Sequence, residues 1–162
     1  MFLAHTRRLA AVLPLLAVPA CAFSGIDLVQ DKRISLVTPH DGDKVSLPFT
    51  VRWDVNKPIA PGHDVSYAVF VDRTPIKSGQ TLRAIIPSRD TECQRDPACP
   101  DKAYLARHNV YLVDQPAATI PRVNPSSSAH ATHRVIVIVL VDGKRDGEGA
   151  WAASVFVTGD QS

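Results

Sequence analysis

Cysteine, methionine and aromatic side chains are all scarce in this 162-residue chain. It holds three cysteines, one methionine (the initiator), two tryptophans, three tyrosines and five phenylalanines. Three cysteines cannot form a dense disulfide framework, and an odd count in an exported chain needs an explanation. With Met1 as the only methionine, no thioether set exists to hold Cu(I). No G-x-S-x-G elbow, P-loop or H-E-x-x-H is present, so no nucleophile or zinc motif announces itself. No basic run is interleaved with aromatics, and nucleic acid is not an expected partner. The formal charge is only +2, and Arg7 and Arg8 supply both charges; residues 21–162 carry 16 basic and 16 acidic side chains. Balanced charge gives no long-range pull on nucleic acid or anionic lipid. Between Asp31 and Ser162 no long helix-period run with start and stop signals occurs. What is there fits a globular chain, with 45% apolar and 21% charged residues, and a length suited to one domain plus a minor segment.

The minor segment is N-terminal. Arg7 and Arg8 precede twelve uncharged residues, Leu9 to Ala20, and no acid occurs before Asp27. A basic region followed by a short apolar core is the pattern of a secretory signal peptide. At twelve residues it falls short of the ~20 that span a bilayer, and Pro14 and Pro19 disfavour a long helix. Val18-Pro19-Ala20-Cys21 then resembles the lipobox of bacterial lipoproteins. That resemblance implies cleavage before Cys21, a diacylglyceryl group on its thiol, and residence on the extracytoplasmic face of a cell membrane. Pro19 departs from the small or aliphatic residue usual at that position. Ala20-Cys21-Ala22 also fits an ordinary A-x-A cleavage site. On the lipoprotein reading, residues 1–20 are the signal peptide and residues 21–33 a lipidated tether, which spans at most about 45 Å.

If Cys21 carries lipid, Cys93 and Cys99 remain as a pair. They lie in TECQRDPACP, where Pro97 and Pro100 favour a turn. Export would place them in an oxidising compartment where a disulfide persists, and closing so small a ring contributes about 2 kcal/mol. Five residues between two cysteines, with no histidine nearby, suits zinc poorly.

From residue 34 the chain reads as strands. Phe49, Val51, Trp53 and Val55 alternate with Thr50, Arg52 and Asp54, the period-two mark of a half-buried strand. Ile34–Thr38, Val65–Asp72, Leu82–Ile86, Val110–Val113, Arg134–Val141 and Trp151–Thr158 complete a set of about seven, broken by Pro/Gly turns. Such a series predicts an all-β, antiparallel sandwich. Trp53 on the second strand, Tyr67 on the third and the closing hairpin HRVIVIVLVDG…AWAASVFVT resemble immunoglobulin-like and fibronectin type III-like domains over residues 34–158. Several bacterial envelope lipoproteins carry such a domain behind a lipobox. A Pro/Ser-rich stretch at 87–132 is expected to interrupt the sandwich as an insertion.

Three strands are apolar on both faces. Ile136, Ile138 and Leu140 oppose Val135, Val137 and Val139; Ala68 and Phe70 oppose Tyr67, Val69 and Val71; Ala152 and Phe156 oppose Trp151, Val155 and Val157. In an immunoglobulin-like sheet these strands are neighbours, and their second faces would merge. Phe70, Phe156, Ile136 and Ile138 are therefore a candidate interface for a partner or second copy, unless the 87–132 stretch folds over them. Imidazoles offer a second possibility, with His108, His130 and His133 as candidate ligands of an envelope copper carrier. Residues three apart on a strand point to opposite faces, which weighs against convergence of His130 and His133. Asp142–Gly147 echoes a calcium loop, but Lys144 replaces an acidic ligand and Ala153 stands where the closing glutamate belongs; a hairpin turn accounts for it. Ser126, Ser127 and Ser128 read as loop, not as a placed nucleophile. The sequence thus implies a non-catalytic recognition or scaffolding module of the cell envelope. Its expected partners are the membrane, through the lipid, and an envelope protein or polymer, with no cofactor.

Overall fold

The computed structural model describes residues 33–123, 132–146 and 151–159. Cys21, the expected signal peptide, most of the expected tether, Ser126–Ser128 and His130 lie outside them. Nine strands are described: β1 (Ile34–Thr38), β2 (Lys44–Val45), β3 (Phe49–Val55), β4 (Val65–Val71), β5 (Val110–Val113), β6 (Ala117–Ile120), β7 (Thr132–Val141), β8 (Lys144–Arg145) and β9 (Trp151–Thr158). Between β4 and β5 run a 3-10 turn (Leu82–Ile85) and two short helices, α1 (Thr91–Arg95) and α2 (Lys102–Arg107). Among the described residues no helix is long and apolar enough to cross a membrane.

The strands form two sheets, one ordered β1-β3-β6 and the other β2-β9-β7-β4-β5, with β8 paired to β7. Every pairing is antiparallel except the two-residue contact of β2 with β9. The apolar stripe of β3 faces the second sheet: Phe49, Val51 and Trp53 are buried while Thr50, Arg52 and Asp54 are exposed. Opposite them lie Tyr67, Val69, Val71, Val135, Val137 and Phe156. Aromatic pairs bridge the gap, Phe49 to Phe156 at 4.9 Å and Trp53 to Tyr67 edge-on at 5.1 Å, the tilted geometries that ring quadrupoles favour.

The larger sheet is buried on both sides. Its outer face presents Ala68, Phe70, Ile136, Ile138 and Leu140, against which Ile76, Leu82, Ile85 and Leu105 pack as a second core. This third layer is built from the chain between β4 and β5. Two expectations change accordingly. Leu82–Ile86 is not a strand: Leu82 and Ile85, three apart, are buried while Arg83 and Ala84 are exposed, the spacing of a 3-10 turn. The stretch at 87–132 is not one insertion either, because β5 and β6 lie within it and belong to the two sheets, while the covering layer begins before Pro87.

Candidate functional site

The covering layer holds a set of linked polar interactions organised around Cys93 and Cys99. Asp90 starts α1: its Oδ1 accepts from the Cys93 N–H at 3.0 Å, satisfying one orphan amide of the first turn. Cys93 is thereby turned inward, 5% exposed, and is disulfide-bonded to Cys99 across a Cα–Cα distance of 5.3 Å, within the normal range. Arg83 reaches over from the 3-10 turn and donates to the carbonyls of Gln94 (3.1 Å), Asp96 (3.0 Å) and Cys99. One planar fork thus fixes three carbonyls of the ring, which a lysine could not reproduce. Asp101 caps α2, with Oδ1 accepting from the Tyr104 N–H at 2.6 Å.

Tyr104 joins the two helices. Its hydroxyl donates to Asp90 Oδ2 at 2.9 Å, the His108 ring packs on it at 4.4 Å, and the Arg107 guanidinium lies 5.7 Å from its centroid. Donation from the Cys93 amide, then from Tyr104, holds the Asp90 carboxyl below the usual carboxylate range. Burial, then the bond to Asp90, raises the Tyr104 hydroxyl. Burial, helped by the charges of Arg73 and Arg107, lowers His108.

Two cavities flank the disulfide, and Ala98 and Cys99 line both. One, of about 330 Å³, is polar, with Asp90, Asp96, Asp101, Tyr104 and Arg107 in its wall. The other, of about 280 Å³, lies between Leu112 and Leu140 of the sheet and Leu82, Pro97 and Pro100 of the cover. Both sit at or below the small end of the ~300–1,000 Å³ typical of small-molecule sites. They are of a size for single side chains.

The candidate interface of Phe70, Phe156, Ile136 and Ile138 does not exist as a surface. Phe70 and Ile138 are fully buried and Ile136 is 5% exposed beneath the cover. Phe156 lies on the opposite face, in the core between the sheets. Register explains the difference: Phe156 stands opposite His133 and Ala152 opposite Val137, and directly opposed residues of an antiparallel pair share a face. Phe156 therefore belongs with the odd-numbered residues of β7.

His133 is 4% exposed. Its Nδ1 lies 2.7 Å from Asp72 Oδ2 and its Nε2 3.2 Å from Thr158 Oγ1. Because a carboxylate only accepts, Nδ1–H donates to Asp72, and the Thr158 hydroxyl is hydrogen-bonded to Nε2. The order of acid, imidazole and hydroxyl is that of a nucleophilic relay. Here the buried ring is stacked on Phe156 at 5.4 Å, which closes it to a substrate, and neither cavity is lined by these three residues. They tie the ends of β4, β7 and β9 together. His108 is packed on Tyr104, and among the described residues no group of three His, Cys, Asp or Glu side chains could hold a metal ion.

No sequence motif marks Arg83, Asp90, Asp101 or Tyr104. The local signals for the two caps, Asp90 three residues before Cys93 and Asp101 three before Tyr104, are the ordinary spacing of an N-cap and its amide. No family model matches the chain, and neither a curated protein nor a solved structure is similar to it.

Proposed function

We propose that this protein is exported, held at the outer face of a cell membrane by lipid on Cys21, and serves there as an immunoglobulin-like module for recognition or scaffolding of another envelope component. The observation that carries this reading is the cysteine ledger. Cys93 and Cys99 are bonded to each other, leaving Cys21 as the odd thiol, and Cys21 directly follows the uncharged apolar core. Structural disulfides are at home in oxidising compartments, which agrees with export.

Strand order supports the immunoglobulin-like part. The orders β1-β3-β6 and β9-β7-β4-β5 are those expected, on this reading, of strands A, B, E and of G, F, C with an added strand beside C. The parallel pairing of β2 with β9 fits, on the same reading, a first strand that crosses to the other sheet. Arg33, at the end of the tether, is paired with Asp146 at 2.9 Å, and its carbonyl accepts from the Asn56 N–H. The tether therefore leaves the sandwich at the end that carries the β7–β9 hairpin.

Membrane fractionation tests the anchor. Wild-type protein is expected in the membrane fraction, with an N-terminal peptide beginning at Cys21 and carrying the mass of its acyl chains, because two chains anchor stably where one is marginal. Cys21→Ser should release a folded domain to the soluble fraction. Wild-type protein that is soluble and begins at Phe23 overturns the reading.

A further inference from the structure

We propose that the Asp96–Pro97 peptide bond is a self-cleavage site, where the fold promotes hydrolysis to a two-chain form held together by the Cys93–Cys99 disulfide. The inference goes beyond the recognition reading above and does not depend on it. Asp–Pro occurs once in the chain, and it is a dipeptide suited to intramolecular cleavage. The aspartate carboxylate reaches its own main-chain carbonyl carbon through a small cyclic anhydride. The proline nitrogen belongs to a tertiary amide, is more basic than an ordinary peptide nitrogen, and leaves more readily once protonated.

The geometry around that bond is what points to cleavage. The Asp96 carbonyl accepts from the Cys99 N–H at 3.1 Å and from Arg83 Nη1 at 3.0 Å. Two donors, one of them cationic, thus already sit on the oxygen that gains negative charge as the carbonyl carbon becomes tetrahedral, the arrangement of an oxyanion hole. A turn with proline in second place needs only the bond from Cys99; the guanidinium is additional. It is held in position by the carbonyls of Gln94, at 3.1 Å, and Cys99. Asp96 Oδ1 accepts from the Ala98 N–H at 2.8 Å, which fixes the carboxylate within the turn, and Oδ2 has its own lone pairs for attack. Asp96 and Pro97 are both exposed, so water reaches the bond. The other charged groups in the wall of the adjacent cavity are Asp90, Asp101 and Arg107.

In the reaction Oδ2 adds to the Asp96 carbonyl carbon, the C–N bond to Pro97 breaks, and the proline nitrogen takes a proton from water. One water then opens the cyclic anhydride and leaves two carboxyl groups on Asp96. The net change is the addition of that water, with no other reactant. Both new chain ends lie between Cys93 and Cys99, so the disulfide keeps the two halves covalently joined.

Mass spectrometry of the purified full-length exported protein tests this, with one sample kept folded at neutral pH and a parallel sample unfolded in urea at the same pH. The folded sample is expected to accumulate a form one water heavier. Reduction should split that form into a fragment ending at Asp96 and one beginning at Pro97, and the urea sample should lag behind. Arg83→Gln removes the cationic donor and should slow cleavage about a hundredfold, the lower end for loss of one oxyanion donor. Asp96→Asn keeps an acceptor for the Ala98 N–H but removes the nucleophile, and should stop cleavage with the disulfide and the melting temperature retained. Pro97→Ala, at an exposed position, should do the same by removing the better leaving group. A folded protein that stays intact, or one cut no faster than the unfolded sample, overturns the proposal. Cleavage that persists in Asp96→Asn overturns it as well.

Discussion

At Asp72 the backbone turns through φ +52°, a conformation that costs most L-residues ~1–2 kcal/mol and that aspartate tolerates best alongside asparagine. The reason for an acid here is visible in what its groups do. Its N–H donates to the Arg134 carbonyl at 2.9 Å, and its Oδ1 accepts from the Arg134 N–H at 2.9 Å. The carboxylate thus takes the place of the next strand carbonyl just where the chain leaves β4, and its other oxygen orients His133. Asp72→Asn keeps the backbone preference and an acceptor for Arg134, so it should cost about 1 kcal/mol. Asp72→Ala loses both bonds and strains the turn, at about 3 kcal/mol. His133→Ala leaves a cavity beside Phe156 and should also cost about 3 kcal/mol. Urea unfolding midpoints measure all three; an asparagine variant as unstable as the alanine one would show that the charge, not the conformation, dominates.

Among the elements, the covering layer decides how the larger sheet can be used. Leu105 of α2 is 1% exposed against Phe70, Ile136 and Ile138, so Leu105→Ala should cost ~2–5 kcal/mol. Phe70→Asp would bury an unpaired charge and should prevent stable folding. Thermal melts and gel filtration check this: a soluble, monomeric Phe70→Asp protein with an unchanged melt would mean that the cover lifts freely. The sequence made parts of this arrangement legible and hid others for physical reasons. β3 could be read because one of its faces is wet. β7 and β4 announced two buried faces, but a doubly apolar strand does not say whether a layer or a partner lies on the second one. β6, Ala117–Ile120, is four residues long with two alanines, too little periodicity to register. The 3-10 turn reads as a strand in the sequence because Leu82, Ala84 and Ile86 fit period two as readily as Leu82 and Ile85 fit period three. The face of Phe156 is not legible in the sequence because parity across a long hairpin depends on register, which a twelve-residue connection between paired Ile138 and Trp151 does not fix locally. The Cys93–Cys99 pair is legible once the lipobox resemblance sets Cys21 aside; the Arg83 fork that orders its ring is not, since nothing local marks an arginine that acts across eleven to sixteen residues.

For the whole molecule, the shifted groups set a pH window with two edges. Folding depresses His108 through burial and the nearby arginines. It depresses Asp90 through the Cys93 amide and Tyr104, and Asp142 through His63 and the Asp64 amide. For each of these the unfolded chain binds its proton at higher pH than the native one. Their contributions are therefore complete above the unfolded values and are lost as pH falls through the folded ones. The imidazole acts first, below about pH 6.5, and the carboxylates follow below about pH 4. Burial raises Tyr67, Tyr111 and Tyr104; here the unfolded chain gives up its proton first. Stability from these phenols is complete below about pH 10 and is lost as pH rises beyond it. The melting temperature should form a plateau from about pH 7 to 9.5, fall in two steps on the acid side and drop again in alkali. His108→Gln should abolish the first acid step and leave the second, and Asp90→Asn should lower the plateau while shrinking the second. Because Asp90 and His108 both contact Tyr104, in the layer that covers Phe70 and Ile138, the acid steps should be accompanied by binding of an apolar dye to the uncovered sheet. Acid loss of stability with no such exposure would place the weak point at the His63–Asp142 pair, between the loop preceding β4 and the β7–β8 turn, and not in the cover.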